Sequence, residues 1–443
     1  MYHLRILSTT ACAAVLLPVL AYASPIGDCY IGAYRLADSS VVDIAPSDAG
    51  TLRWRKFDGT TGALHEAQAG NWTSTFGWTD RPDGKAVSFG PCAVGEIHFD
   101  GMAGRRIDFD VTEMTFHSRD VDLAGRLVLP KGRDQVPIVV LVHGAEHTSA
   151  RDSYALQRLL PAEGVGAFVY DKRGTGASAG KYTQDFDVLA DDAVEAMREA
   201  RRIAGRRVGR TGYQGGSQGG WVAPLAATRV PVDFVIVSFG LAVSVINEDQ
   251  QEVALEMRLK GHNPEEIAKA LEVADAAEAV IESAFTKGFE RFDRVRAKYR
   301  NEPWYKDVHG NYTYLLLPYN EAELREKGKA YVFGTPFRYD PMPTLRAVNT
   351  AQLWILGEDD LEAPSAETSR RIKTLIAEGR PITLALYPGA EHGMTEYETL
   401  PSGERVSTRF SAGYFAMMRD FAQTGRLRGP YGSSVIAGPR PAP

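Results

Sequence analysis

Val208-Gly209-Arg210-Thr211-Gly212-Tyr213-Gln214-Gly215-Gly216-Ser217-Gln218-Gly219-Gly220-Trp221 decides the fold. Residues 208–213 read as a strand, and a helix follows over 221–227. Between them Gly215 to Gly219 fits G-x-S-x-G, a pattern that carries meaning only at such a strand–turn–helix junction. Small flanking residues let the chain turn sharply and present the Ser217 hydroxyl above the sheet. The helix N-terminus adds positive potential beneath it. Working outward, residues 138–142 form a continuous apolar run, as a strand buried on both faces should. Further strands are expected at 114–116, 123–129, 167–170, 234–237, 353–356 and 382–386. Helices are expected at 154–163, 188–203, 366–377 and 410–421. This alternation implies an α/β fold with a mainly parallel sheet and helices on both faces.

A serine nucleophile needs a base, and the base needs an orienting acid. His392 follows the strand at 382–386, in Tyr387-Pro388-Gly389-Ala390-Glu391-His392-Gly393. The strand at 353–356 runs into Gly357-Glu358-Asp359-Asp360-Leu361-Glu362, whose carboxylates include the candidate acid. The order Ser, acid, His suits a nucleophile on a strand–turn–helix elbow.

These segments resemble the α/β-hydrolase superfamily, over about residues 111–425 apart from an insertion. The resemblance is to its exported branch near prolyl-oligopeptidase-like, dienelactone-hydrolase-like and acyl-CoA thioesterase-like enzymes. Leu123-Ala124-Gly125-Arg126-Leu127-Val128-Leu129-Pro130 is similar to the family's early strand. Tyr170-Asp171-Lys172-Arg173-Gly174-Thr175-Gly176-Ala177-Ser178 is similar to its loop after the fourth strand, and Tyr339-Asp340-Pro341 precedes the acid strand as it does in the family. The resemblance implies Asp360, three residues after Gly357, as the acid, with Asp359 beside it as the competitor. It also implies an oxyanion hole from the backbone N–H groups of Ala145, after His143-Gly144, and of Gln218. No cofactor and no metal are called for. His143-Gly144-Ala145-Glu146-His147 matches a zinc signature, but that motif works only on a helix, and here it follows a strand and contains glycine. Asp171 and Arg173 are read as pinning their loop.

Residues 246–340 hold helical stretches and no buried-strand run, which reads as a helical cap inserted between two core segments, 111–245 and 341–428. Asn263-Pro264-Glu265-Glu266 is a helix start, and its helix is expected to run to about Phe285. Aromatic and aliphatic residues of this insertion are expected to form a lid and an acyl pocket. Residues 24–110 read as a small β-rich accessory module, a sheet or barrel, with Trp54, Trp72, Phe76 and Trp78 expected as its core and, as the alternative, lining a ligand face. Gly429 to Pro443 is rich in Gly and Pro and reads as a mobile tail.

The chain has 443 residues, 44% hydrophobic and 24% charged, enough to build a large core. Its 50 Lys+Arg against 56 Asp+Glu leave a net charge of −6, which excludes nucleic acid as the main partner. Residues 11–21 are an apolar run too short for a membrane span, and Ala21-Tyr22-Ala23 follows, so residues 1–23 read as an export signal. The remaining cysteines, Cys29 and Cys92, are expected to pair in the periplasm or outside the cell. The expected activity is a serine hydrolase cleaving a small-molecule carboxylic ester. A serine peptidase of aminopeptidase type is the rival reading, and a non-catalytic binding protein on the same fold is the remote one.

Overall fold

A computed structural model describes residues 28–47 and 51–439; the expected export signal lies outside them. Eight strands come first: β1 Gly32–Leu36, β2 Val41–Pro46, β3 Leu52–Lys56, β4 Thr61–Gln68, β5 Asn71–Thr75, β6 Pro82–Phe89, β7 Glu96–Phe99 and β8 Met102–Arg106. They pair antiparallel in sequence order, and β8 returns to β1 to close a barrel. Alternate residues fill its interior, including Leu52, Trp54, Leu64 and Trp72, as period-two strands require. Phe76 and Trp78 were expected in that core but are 39% and 37% exposed. They sit past the end of β5, where the alternation has stopped. Cys29 and Cys92 form a disulfide across the module.

The second sheet has nine strands: β9 Phe109–Ser118, β10 Val121–Pro130, β11 Val136–Val142, β12 Gly166–Tyr170, β13 Val208–Gly216, β14 Phe234–Ser238, β15 Ala351–Gly357, β16 Ile382–Tyr387 and β19 Val435–Ala437. Strands β11 to β16 run parallel, while β9, β10 and β19 are antiparallel. The apolar run of β11 divides between two cores: Ile138, Val140 and Val142 face one side, Val139 and Leu141 the other. Helices α3 Phe186–Ala204, α4 Gly219–Ala227, α10 Met342–Ala347 and α11 Ser365–Ala377 cover the first face. Helices α1 Ala150–Ser153, α2 Leu156–Ala162 and α12 Tyr414–Thr424 cover the second. Barrel residues Ala33 and Val41 pack into that second core, so the barrel docks there.

Between β14 and β15 lie α5 Val245–Leu259, α6 Pro264–Glu282, α7 Phe289–Tyr299, α8 Thr313–Leu316 and α9 Glu321–Lys327. Asn263 and Glu266 cap α6 reciprocally, as the sequence suggested.

Two further expectations need correction. The last helix starts at Tyr414 rather than at 410, because residues 395–410 form a hairpin, β17 Thr395–Thr399 with β18 Arg405–Phe410. Gly413, at φ +81, separates strand from helix. The tail read as mobile contains β19: Val435–Ala437 pairs with Leu384–Leu386 on the open edge of the sheet, and Tyr431 is buried before it. Edge pairing satisfies backbone groups that glycine- and proline-rich composition does not reveal.

Candidate active site

Ser217 lies between β13 and α4 with φ +51, a backbone conformation that a non-glycine residue adopts only when its surroundings enforce it. The neighbours enforce it here. A Cβ on Gly215 would sit 2.2 Å from the Gly219 carbonyl oxygen, and one on Gly219 would sit 2.8 Å from that of Val142. The Ser217 N–H donates to Ser238 O at 3.1 Å, tying the turn to β14.

His392 follows β16, where the chain turns tightly through Gly393. Its Nδ1 lies 2.9 Å from Asp360 Oδ2, and the other oxygen of Asp360 accepts the Ala363 N–H at 2.7 Å. Asp360 is fully buried beyond the end of β15. Burial pulls the imidazole pKa down, but the charge and hydrogen bond of Asp360, with the charge of Glu362, outweigh it and leave it raised. Phe239 packs edge-on against the ring, 4.9 Å between centroids. Asp359 points elsewhere: its carboxylate accepts from the Tyr397 hydroxyl at 2.9 Å. Of the two adjacent carboxylates, the fold brings only Asp360 to His392.

Ser217 and His392 open onto one cavity of about 590 Å³, whose walls include Val142, Leu156, Phe239, Phe410 and Phe415. Gly144 and Ala145 also line it. Gln218 is buried directly after Ser217, at the start of α4. Lys172, 1% exposed, joins the two segments: its Nζ donates to Gly144 O at 2.5 Å and to the Gln218 side-chain oxygen at 3.3 Å. Burial brings its pKa down to about 8. Sequence reasoning missed Lys172, although it lies in the loop whose neighbours Asp171 and Arg173 were singled out. Those two hold the loop: Asp171 accepts from Ser149 and Ala177, and Arg173 grips Asp192 through two nitrogens.

The zinc-like string disperses. His143 is buried with Nε2 2.9 Å from Tyr170 O, Glu146 accepts from the Tyr154 hydroxyl at 2.6 Å, and His147 stacks on Tyr182 at 3.6 Å. Elsewhere, Glu252, Glu256 and His309 of the insertion bring ligand-type atoms within 4.8 Å of one another. His309 Nδ1 is 3.2 Å from Glu256 Oε1, an ion-pair geometry.

The insertion does not supply the expected acyl pocket. Among the described residues, the cavity walls come from the nine-stranded sheet's loops, the segment 410–415 and the barrel residue Arg55. The insertion's aromatic residues Phe289, Phe292, Tyr299 and Trp304 are instead buried in a core of its own. The barrel's contribution was not legible in sequence.

A family profile described as "Serine aminopeptidase, S33" matches residues 134–314. No curated protein matches the chain in sequence. Among solved structures, the esterase Pf2001 of Pyrococcus furiosus is 15% identical, with 64% of this chain and 84% of that one covered, at a TM-score of 0.40. The acylaminoacyl peptidase of Pyrococcus horikoshii is 14% identical over 87% of this chain and 57% of that one, at 0.43. Est1E of Butyrivibrio proteoclasticus, solved with ferulic acid, is 16% identical over 63% and 90%, at 0.37. The profile covers less than half of the chain, and over that stretch the order of strands and helices around Ser217 is similar to that of α/β-hydrolases.

Proposed function

We propose that this protein hydrolyses carboxylic esters through an acyl-enzyme formed on Ser217. The observation that carries the proposal is the His392–Asp360 pair, 2.9 Å apart, opening with the strained Ser217 onto one largely apolar cavity. His392 takes the proton of the Ser217 hydroxyl as the oxygen attacks the ester carbonyl. Asp360 holds the imidazole in the right tautomer and stabilises the imidazolium. The N–H groups of Gln218 and Ala145 receive the developing oxyanion, usually the largest electrostatic contribution in acyl transfer. Lys172 positions both by bridging Gly144 and Gln218. His392 then protonates the departing alcohol, and water activated by the same imidazole releases the acid. Export belongs to this reading and is supported by the Cys29–Cys92 disulfide.

One observation favours the aminopeptidase reading. The Glu362 carboxylate, whose side chain is 55% exposed, lies 3.6 Å from His392 Nε2 and faces the cavity, where it suits a substrate amine. The profile's description points the same way. A panel of 4-nitrophenyl esters against aminoacyl-4-nitroanilides decides between them, and esters are expected to turn over faster. Ser217→Ala should fold normally, lose labelling by a fluorophosphonate and lower kcat by about 10⁴ to 10⁶. Retention of more than about a tenth of the activity would remove Ser217 from the mechanism.

A further inference from the structure

The barrel places one charged side chain in the wall of the cavity that holds Ser217 and His392. That residue is Arg55, on β3. It points out of the barrel, opposite in phase to the interior residues Leu52 and Trp54, and directly across from Asp43 on β2. Asp43 is fully buried and already engaged: Arg158 of α2 holds both of its oxygens, Nε to Oδ1 at 2.5 Å and Nη2 to Oδ2 at 3.2 Å. Arg55 comes no nearer than 3.9 Å to Asp43, beyond hydrogen-bond reach. Its Nη1 is buried and has no hydrogen-bond partner. Two guanidiniums therefore share one carboxylate, and the surplus positive charge is the one at the cavity. Asp43 and Arg158 are the charges that act on Arg55, one favourably and one against it. The side chain is only 16% exposed, so water compensates little of that charge. An under-neutralised, nearly buried guanidinium is costly unless an anion meets it. Its planar fork matches a carboxylate.

We infer that Arg55 is a specificity-determining residue that binds a carboxylate carried by the substrate, so that the preferred substrates are anionic esters. The inference rests on the proposed ester hydrolysis only in taking this cavity as the substrate site. It gives the barrel a direct part in recognition. A charge-assisted contact of this kind is worth about tenfold to a hundredfold in affinity.

The test uses two pairs of substrates. One pair is the 4-nitrophenyl hemiester of a straight-chain dicarboxylic acid and its methyl-capped twin, with the charge on the acyl side. The other is a 4-acyloxybenzoate and its methyl ester, with the charge on the alcohol side. In at least one pair the wild-type enzyme is expected to prefer the charged member by more than about tenfold in kcat/KM. Arg55→Gln should collapse that ratio, mainly through KM, and Arg55→Lys should restore part of it. Melting temperatures of both variants separate loss of recognition from loss of fold. Binding of the same compounds to Ser217→Ala, measured by calorimetry, reads the preference without any turnover. If esters are not cleaved but the charged compound still binds better in an Arg55-dependent way, the ester reading fails and the anion site stands. A charged-to-neutral ratio that Arg55→Gln leaves unchanged, or no preference in either pair by rate and by binding, overturns the inference.

Discussion

The barrel and the helical insertion are both additions to the nine-stranded sheet, and they relate to the site in opposite ways. The insertion folds Phe289, Phe292, Tyr299 and Trp304 into a core of its own and meets the cavity side of the molecule where Asn311 donates to Glu362 O at 3.2 Å and where Phe333 packs against His147 and Tyr182. The barrel clamps the hairpin β17–β18 that begins three residues after His392. Trp78 N–H donates to Ser407 O at 2.9 Å, Phe410 N–H to Gly59 O at 2.8 Å, and the Arg409 guanidinium to Asp58 O at 2.7 Å. Trp78, exposed on its outer side, packs edge-on against Phe410 at 5.4 Å. An inserted element with its own core can lie beside a site without shaping it. A module that shares backbone hydrogen bonds with the hairpin following His392 holds part of the candidate site's geometry.

The largest expected effect separates two neighbours that the fold assigns to different tasks. Asp360 serves His392, whereas Asp359 holds Tyr397 of the barrel-clamped hairpin. Asp360→Asn should lower kcat by about 10⁴, because an amide favours the wrong imidazole tautomer. Asp359→Asn should cost less than about tenfold, since the amide oxygen can still accept from Tyr397 and only a partly exposed charge is lost. Assays of both variants on one ester at one pH check this, and a reversed order would exchange their roles. The second effect tests the clamp. Gly77 has φ +57, and a Cβ there would lie 2.4 Å from the Thr408 carbonyl oxygen. Gly77→Ala should push the hairpin off the barrel and lower kcat by about 10²-fold, as small misplacements of a catalytic group do. Phe292→Ala, in the centre of the insertion's core, should instead cost about 3–5 kcal/mol of stability and leave kcat of the folded enzyme within about threefold. A kcat loss in Phe292→Ala greater than in Gly77→Ala would break the comparison between the two regions.

How much of this was legible depended on how local the signal was. Ser217 announces itself because strand, glycine turn and helix are contiguous in sequence, and the sheet follows from apolar runs such as 138–142. His392 was singled out by chain order and Asp360 by its place in the family resemblance, three residues after Gly357; the fold brings the two within hydrogen-bond distance. Arg55 was not legible: on an alternating strand an outward arginine reads as a solvent-facing residue, and only the docking of the barrel, through β1 and β2, against α2 buries it. The hairpin at 395–410 was missed because its residues are mostly polar and half-buried, so no apolar run marks it. Phe410 was drawn into the following helix for the same reason. The aromatic residues of the insertion suggested a pocket lining, but composition cannot distinguish a residue facing a cavity from one filling a separate core.

The smallest expected effect concerns the insertion alone. Glu252 on α5 has a side chain only 6% exposed, and its Oε2 is without a hydrogen-bond partner. Burial pushes its pKa up to about 9, helped by the charges of Asp249, Glu256 and Glu362, while the Asn311 backbone N–H pulls the other way. In the unfolded chain the same carboxyl ionises near its ordinary value of 4.5. Between those values the native state holds a proton that the unfolded state releases, so stability must fall as pH rises. The contribution is fully present below 4.5 and is lost on the way up through about 9. Glu252→Gln keeps the shape and removes the titration. Its melting temperature should track that of the wild type in acid and exceed it by a few degrees near the alkaline end of the window. Glu252 does not line the cavity and reaches His392 only through the charge of the half-exposed Glu362, so kcat on a neutral ester should show at most a small matching pH-dependent difference between the two proteins. A melting-temperature gap that stays constant with pH would mean that Glu252 is already ionised in the fold, held by His309 at 3.7 Å. A large kcat difference that follows the same titration would mean that the insertion does reach the site, and the contrast with the barrel would then fail.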